Sequence, residues 1–441
     1  MTVFEYTPVQ SIPKIVADTR ASFLTHRTQN LEFRKQQLRA LLRLLEENAD
    51  ALSGAIKADL NRAGDFEIPT CIRATKDFID NLDSYLQNQK GTNVAEKDES
   101  YVRFSPLGTV LVIGAWNFPM MLVLEPLAGA LAAGNTVVLK PSENSEHSAK
   151  LLTRLIEKYM DPSIVSVING GVEETTVLLE QRFDHIIYTG GTQVGRIIMQ
   201  AAAKHLTPVT LELGGKCPAI ITSKADLAKA AQKIAGWKTS NCGQICLTVD
   251  YILCPLHLQD ALIKTLVGTW QHLFGANIKD NKSYPKIINK RQHARLEGLL
   301  KAVKAENKVV YGGNSDAGSL FIEPTIVTNV SLKDTIMQDE IFGPILPIVT
   351  SESLADSINI VNGGEHPLGL YLFTEDKDEV EEVLTKTRSG AAIVNDVASH
   401  FLNHSLPFGG VGGSGMGRYH GKYSIEAFSH QRAVVIRSSH L

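Results

Sequence analysis

His185-Ile186-Ile187-Tyr188-Thr189-Gly190-Gly191-Thr192-Gln193-Val194-Gly195 sets a short apolar run directly before paired glycines, and a helical pattern follows over 194–205. Strand, glycine turn and helix in that order form the repeating unit of a parallel sheet. Backbone N–H groups at such a helix start suit an anionic phosphate. The glycine spacing departs from the usual dinucleotide fingerprint. Arg196-Ile197 follows Gly195, where a nucleotide-hydrolase loop needs lysine and then serine or threonine, so that reading fails.

The same alternation extends to both sides. Runs at 110–113, 136–139, 164–168 and 209–211 read as strands, and 120–133, 148–160 and 172–181 read as helices between them. Strands alternating with helices of this length predict an α/β fold with a parallel, doubly wound sheet. Upstream, 13–60 reads as helical, with Leu38, Leu42, Leu45 and Leu52 at helical spacing. A second alternating region has expected strands at 219–221, 250–253, 308–311, 345–349, 369–373 and 392–394. The polar stretch 89–101, followed by Val102-Arg103-Phe104, and the terminal run 433–436 read as extended arms of the kind that complete a neighbour's sheet. The expected division is a Rossmann-like dinucleotide-binding domain at 1–84 and 108–210 and an α/β catalytic domain at 211–415. A small β arm for oligomerisation comprises 85–107 and 425–441.

Composition narrows the class. The chain has 441 residues, too many for one ordinary core, and a net charge of -3 that gives no pull toward nucleic acid. The apolar stretch 108–134 is broken by Asn117, Pro119, Glu125 and Pro126, so a buried strand–turn–helix is expected and not a membrane span. Five cysteines, Cys71, Cys217, Cys242, Cys246 and Cys254, are an odd and sparse set, which points to reduced thiols in an intracellular compartment. Cytoplasmic residence is the expectation. Ser439-His440-Leu441 is a variant of the peroxisomal Ser-Lys-Leu address, against which stands a chance tripeptide.

The chemistry concentrates in 207–248. Leu211-Glu212-Leu213-Gly214-Gly215-Lys216 offers a carboxylate, and Asn241-Cys242-Gly243-Gln244-Ile245-Cys246 offers a thiol with a glycine-cleared approach. A thiolate attacks carbonyl carbon and a carboxylate activates water. Cys246 is expected to be made reactive by its local field. If the segment is helical, Cys242 shares a face with it. No histidine or further cysteine follows at zinc-ligand spacing, so no metal site is expected. His400 and His404, four residues apart, lack the glutamate of a zinc-protease helix and read as satisfied or exposed.

These residues stand among seven motifs. They are Trp116-Asn117-Phe118-Pro119, Leu139-Lys140-Pro141-Ser142-Glu143, Tyr188-Thr189-Gly190, Glu212-Leu213-Gly214-Gly215-Lys216, Gly243-Gln244-Ile245-Cys246, Glu340-Ile341-Phe342-Gly343-Pro344 and Leu406-Pro407-Phe408-Gly409-Gly410. In this order the chain resembles the aldehyde dehydrogenases, most closely the short class 3 group that includes fatty aldehyde dehydrogenases, over about residues 20–432. The resemblance implies NAD(P)-dependent oxidation of aldehydes, with medium- or long-chain aliphatic or aromatic substrates. Cys246 is then the nucleophile, Glu212 the base and Asn117 an oxyanion donor, although Asn117 serves equally well as a helix cap.

The implied cofactor residues are Trp116, Lys140, Glu143, Gly190, Gly191, Thr192, Gly195, Leu213, Glu340 and Phe342, with Phe408 touching substrate. The family usually carries a small polar residue where Gly191 stands. A carboxylate at Glu143 favours NAD over NADP, with NADP tolerated. The resemblance further implies a homodimer; many fatty aldehyde members carry an apolar carboxy-terminal anchor, and because this chain ends without one no stable membrane anchor is expected. A cysteine-dependent hydrolase and a silent binding protein with the same fold are the competing readings.

Overall fold

The structure is a computed structural model that describes residues 4–92 and 98–437. Ser439-His440-Leu441 and part of the expected arm, 93–97, lie outside the described residues.

Two large sheets organise the chain. The first runs in the order Gly415–Met416, Val209–Leu213, His185–Gly190, Thr109–Ile113, Thr136–Lys140, Val165–Val167. Its long strands are parallel, and Gly415–Met416 joins antiparallel. Every residue of Thr109–Ile113 and Thr136–Lys140 is buried, because helices cover both faces. That is why these strands read as continuous apolar runs without alternation. The covering helix Met121–Ala133 is buried all round, so small residues such as Ala128, Gly129 and Ala130 let its neighbours close in.

The second sheet runs Val309–Tyr311, Thr325–Val327, Ile345–Thr350, Tyr251–Cys254, Pro218–Ile221, Gly369–Phe373, Ala391–Val394. All pairs are parallel except the first. A third sheet pairs Gln89–Lys90 and Ser429–Ile436 antiparallel to either side of Glu99–Pro106. Val435 and Ile436 stay exposed on its edge strand.

Three details differ from the sequence reading. Val209–Leu213 runs through the division expected between residues 210 and 211, so Glu212 hangs on the last long strand of the first sheet. The chain also returns to that sheet at Gly415–Met416. In the helix Leu31–Glu47 it is Leu41 that continues the buried face of Leu38 and Leu45, while Leu42 is half-buried. Among the described residues no helix is long and apolar enough to cross a membrane.

In a doubly wound sheet, ligands gather beyond the carboxyl ends of the strands, where the strand order reverses. Here those ends carry Trp116 and Asn117 after Thr109–Ile113, Lys140 and Glu143 at and after Thr136–Lys140, and Gly190, Gly191 and Thr192 at and after His185–Gly190.

Candidate active site

Glu212 is placed by strand pairing. Gly415 lies opposite Glu212 and Met416 opposite Leu211. A Cβ on Gly415 would stand 2.1 Å from the Leu211 carbonyl oxygen, so only glycine lets the returning chain approach this closely. The 406–417 loop is therefore pinned against the Glu212 strand. Glu212 is 3% exposed and neither carboxylate oxygen has a hydrogen-bond partner. Burial raises its carboxyl well above the ordinary 4.5, because the charged form loses its hydration without compensation.

Cys246 sits at the end of a contorted loop. After the helix Leu227–Thr239 comes a 3-10 turn, Ser240–Gly243, with Asn241 and Cys242 in left-handed conformations. Gly243 follows at φ 70°, and a Cβ there would meet the Gly343 carbonyl oxygen at 2.4 Å. The segment is thus not α-helical, and the expected shared face of Cys242 and Cys246 does not form. The Cys242 thiol faces the Tyr284 hydroxyl at 3.5 Å, buried, while Cys246 is half-buried.

Four side chains lock this loop. Asn241 Nδ2 donates to the Asn117 carbonyl at 2.9 Å, and Gln244 Nε2 donates to the Asn241 carbonyl at 3.0 Å. The Cys217 thiol donates to the Cys246 carbonyl at 3.3 Å, and the Tyr371 hydroxyl donates to the Leu247 carbonyl at 2.5 Å. Arg62, ion-paired with buried Glu67, binds both Asn241 Oδ1 and the Asn117 carbonyl at 2.9 Å. Glu67 in turn accepts the N–H groups of Met120 and Met121 at 3.0 Å. Glu67 therefore satisfies the start of the Met121–Ala133 helix, and Asn117 does not cap it. The Asn117 amide instead donates to the Gln244 carbonyl at 3.1 Å, beside the thiol loop. Arg62, Glu67, Cys217 and Tyr371 were missed in the sequence because their role exists only across segments.

The expected activation of Cys246 by its surroundings is not what the structure shows. Burial, then the charges of Glu340 and Glu212, push the thiol up to about 12. Reaction of Cys246 with iodoacetamide in the dinucleotide-free protein is expected to climb about tenfold per pH unit from pH 7 to 9. A rate that levels off below pH 8, followed by peptide mass analysis at Cys246, would contradict this.

The thiol and the carboxylate line one narrow cavity of about 30 Å³. Its walls are Phe66, Phe118, Met121, Leu122, Trp237, Phe401, Phe408 and Tyr419, with Thr189 near Glu212. Phe408 is held by a two-way backbone bridge to Tyr419, at 2.8 and 3.0 Å, and by edge-on contact with Phe401 at 5.2 Å. Of these aromatics only Phe408 was singled out from sequence. The others come from five separate segments and carry no local signal.

On the other side of the thiol loop lies a cleft. Phe342, at φ 49°, presents its ring edge-on to Trp116 at 5.4 Å. Glu340 lies over Gly214, where a Cβ would stand 2.0 Å from its Oε2. Burial, then Asp250, raises the Glu340 carboxyl to about 8. Lys216, paired with Asp250, and Arg295 hold the 339–341 backbone through its carbonyls.

Lys140 is 5% exposed and paired with Glu143 at 2.8 Å, so it is not a solvated lysine. Gly191 precedes the helix Thr192–Ala203 without a side-chain cap, and the space beyond its Cα is open. Gly195 lets that helix close on Leu213, where a Cβ would approach Leu213 Cδ2 to 2.7 Å. An uncapped helix start fits a pyrophosphate, and the Lys140–Glu143 pair fits ribose hydroxyls. The residues present fit a nicotinamide dinucleotide.

A doubly wound sheet, a thiol and a buried carboxylate on one cavity, and a glycine-opened helix beside it define a thiol-bearing dinucleotide oxidoreductase. The family model for the aldehyde dehydrogenase family matches residues 3–434, and the chain belongs to that family. It is an aldehyde-oxidising enzyme that uses NAD or NADP. It is 46% identical over 424 residues to aldehyde dehydrogenase family 3 member A2 of Mus musculus, covering 95% of this chain and 87% of that protein. It is 44% identical over 439 residues to the dimeric NADP-preferring aldehyde dehydrogenase of Rattus norvegicus, covering 98% and 95%. The AldH of Staphylococcus aureus in a substrate-bound state superposes with a TM-score of 0.95 at 38% identity, covering 100% of this chain and 95% of that one.

Proposed function

We propose that this chain oxidises medium- to long-chain aliphatic or aromatic aldehydes through covalent catalysis at Cys246. The carrying observation is the cavity: apolar walls around a half-buried thiol, with one unpartnered buried carboxylate. Cys246 Sγ bonds to the aldehyde carbon, and the carbonyl electrons move to oxygen. The Asn117 amide and the Cys246 backbone N–H stabilise that oxyanion. When bound, the oxidised nicotinamide supplies the hydride acceptor that turns this adduct into a thioester. Glu212 takes a proton from water, the water oxygen attacks the thioester carbon, and the C–S bond breaks with its electron pair returning to sulfur. Because Glu212 lines the same cavity as Cys246, and that cavity disfavours a free thiolate, it also suits the first deprotonation of Cys246.

The dinucleotide is held in the cleft by Gly190, Gly191, Thr192 and Gly195 at the pyrophosphate, Lys140 and Glu143 at the ribose, and Leu213, Trp116, Glu340 and Phe342 toward the nicotinamide. The Lys140–Glu143 pair partly neutralises the carboxylate, which supports NAD use while leaving NADP tolerated. The six-stranded unit is the dinucleotide-binding domain and the seven-stranded unit the catalytic domain. Phe408 touches the acyl chain.

Purified protein mixed with NAD or NADP and straight-chain aldehydes is expected to form reduced cofactor. KM should fall about three- to fourfold per added CH₂ for as long as each added carbon is buried against the apolar walls, given about 0.8 kcal/mol per buried methylene. Ester cleavage with no aldehyde oxidation would favour the hydrolase reading instead.

The edge strand Ser429–Ile436, with Val435 and Ile436 exposed, supports a homodimer. Light scattering is expected to report twice the chain's mass, and a monomer would refute it. Five free cysteines support a reducing, intracellular compartment, cytoplasmic in the first instance, with the terminal tripeptide leaving a peroxisomal address as the alternative.

A further inference from the structure

Hydrolysing a thioester at Cys246 leaves a proton on Glu212. With substrate in the cavity and dinucleotide in the cleft, that proton has to leave through the protein. Behind the cavity wall lies a second set of polar side chains that the reaction above does not use. Tyr419 lines the cavity with Glu212, and its buried hydroxyl has no hydrogen-bond partner. Its ring meets that of His420 edge-on at 4.6 Å. His420 is 3% exposed and neither ring nitrogen is hydrogen-bonded. Its Nε2 lies 3.4 Å from Glu125 Oε2.

Glu125 projects from the buried helix Met121–Ala133, is 4% exposed, and has no hydrogen bond at either oxygen. Its other oxygen faces His404 Nε2 at 3.9 Å. His404, expected to be satisfied or exposed, is half-buried with that nitrogen unbonded. It lies within electrostatic reach of Arg73 and Asp77, and these two line a hollow open to the surface.

One unpartnered buried polar group is a local cost, and most proteins avoid it. A contiguous series from the cavity wall to the rim needs a reason. Backbone strain marks the same place. His420 adopts φ 84°, ψ 135°, a conformation that glycine takes readily and a histidine does not. The ring is nevertheless kept there, stacked on Phe408 at 5.0 Å, while the His420 backbone N–H donates to Ser424 Oγ at 3.0 Å. Among the described residues no three histidine, cysteine or acidic side chains are placed to hold a metal ion. The other titratable group facing Glu125 is the thiol of Cys71, on the helix Glu67–Tyr85; burial, then the charges of Glu125 and Glu67, hold it protonated.

We propose that Tyr419, His420, Glu125 and His404 form a proton exit from Glu212 to the surface at Asp77, with water bridging the gaps longer than a hydrogen bond. The inference rests on Glu212 being the base. Water gives one proton to the Glu212 carboxylate while its oxygen bonds to the thioester carbon and the C–S electron pair returns to sulfur. The Glu212 proton moves to the Tyr419–His420 group, which releases one to Glu125. His404 takes up that proton and discharges it at the rim. No oxidant or reductant enters, and the residues end in their starting states. They are positioning and relay residues, not groups that touch substrate carbon.

The test gives excess aldehyde to Glu125→Gln and, separately, to His404→Asn, followed by stopped-flow for reduced cofactor in the first turnover and by rapid quench for acid release over the first and later turnovers. Reduced cofactor in the first turnover is expected at the wild-type rate and amplitude, which also counts correctly folded sites. Acid release after the first turnover should slow about tenfold, with a larger solvent deuterium isotope effect. Added imidazole should restore it in His404→Asn, the variant nearest the surface. Because His404 is partly exposed, that variant carries the test if Glu125→Gln does not fold. Acid release at the wild-type rate in both variants overturns the relay. So does an equal slowing of both signals, which reports a distorted site. Failure of the underlying reading looks different: acid release in Glu212→Gln would then match wild type.

Discussion

Cys246→Ser is expected to lose aldehyde oxidation by a factor of about 10⁴ in kcat/KM while still binding dinucleotide. The exchange is nearly isosteric, and the loop that holds residue 246 is fastened through backbone groups. The Cys217 thiol and the Tyr371 hydroxyl grip the carbonyls of Cys246 and Leu247, and Asn241 and Arg62 grip the Asn117 carbonyl. None of these bonds uses the sulfur of residue 246, so the fold and the cleft should persist. What changes is the nucleophile. In a cavity that already pushes a thiol up to about 12, a hydroxyl has no accessible anion at neutral pH. Turnover with hexanal and NAD, and dinucleotide binding by quenching of tryptophan fluorescence, separate the two effects. Retained turnover in this variant would remove the covalent mechanism altogether.

Glu212→Gln is expected to lower kcat by about 10²- to 10³-fold, yet to form one equivalent of reduced cofactor per site when the dinucleotide-bound enzyme is given an aldehyde above neutral pH. The amide cannot take a proton from water, so the enzyme stalls as thioester. Intact-protein mass spectrometry should show the added acyl group.

The same variant has a stability signature. Burial raises the Glu212 carboxyl above its unfolded value of 4.5. The folded chain therefore holds the proton more tightly than the unfolded chain. Wild type keeps that stabilisation below pH 4.5 and loses it as pH rises toward the folded value. Glutamine does not titrate, so the melting temperature of Glu212→Gln should exceed that of wild type by a margin that grows on raising the pH above 4.5. Equal melting temperatures at every pH would mean that the carboxylate is solvated, contrary to its burial. A gain in stability paired with a loss of turnover is the usual mark of a strained catalytic group.

Local pattern carried much of the rest. The runs around Val110, Val137, Ile187 and Val209 read correctly as strands because burial on both faces leaves no polar alternation to confuse them. Gly214 and Gly243 marked turns because close approach to a carboxylate or to backbone excludes a Cβ there, whereas the space beyond Gly191 is open. Asn117 was ambiguous between cap and donor. The capping role went to Glu67, fifty residues upstream, which satisfies the helix start in its place. Leu42 was assigned to a buried face that Leu41 occupies, since helical spacing tolerates such a shift of one residue.

The sequence by itself determined the order of strands and helices and marked the glycine turns, and its motifs singled out Cys246 and Glu212 as candidates. Those are short-range properties, set by backbone sterics and by residues a few positions apart. Only the tertiary structure decided how these groups ionise and what surrounds them. Gly415 pairs with the Glu212 strand, Tyr419 and His420 arrive beside Glu125, and the charges of Glu340 and Glu212 act on Cys246. Desolvation and charge interaction are sums over neighbours in space, and most of those neighbours are a hundred or more residues away in the chain.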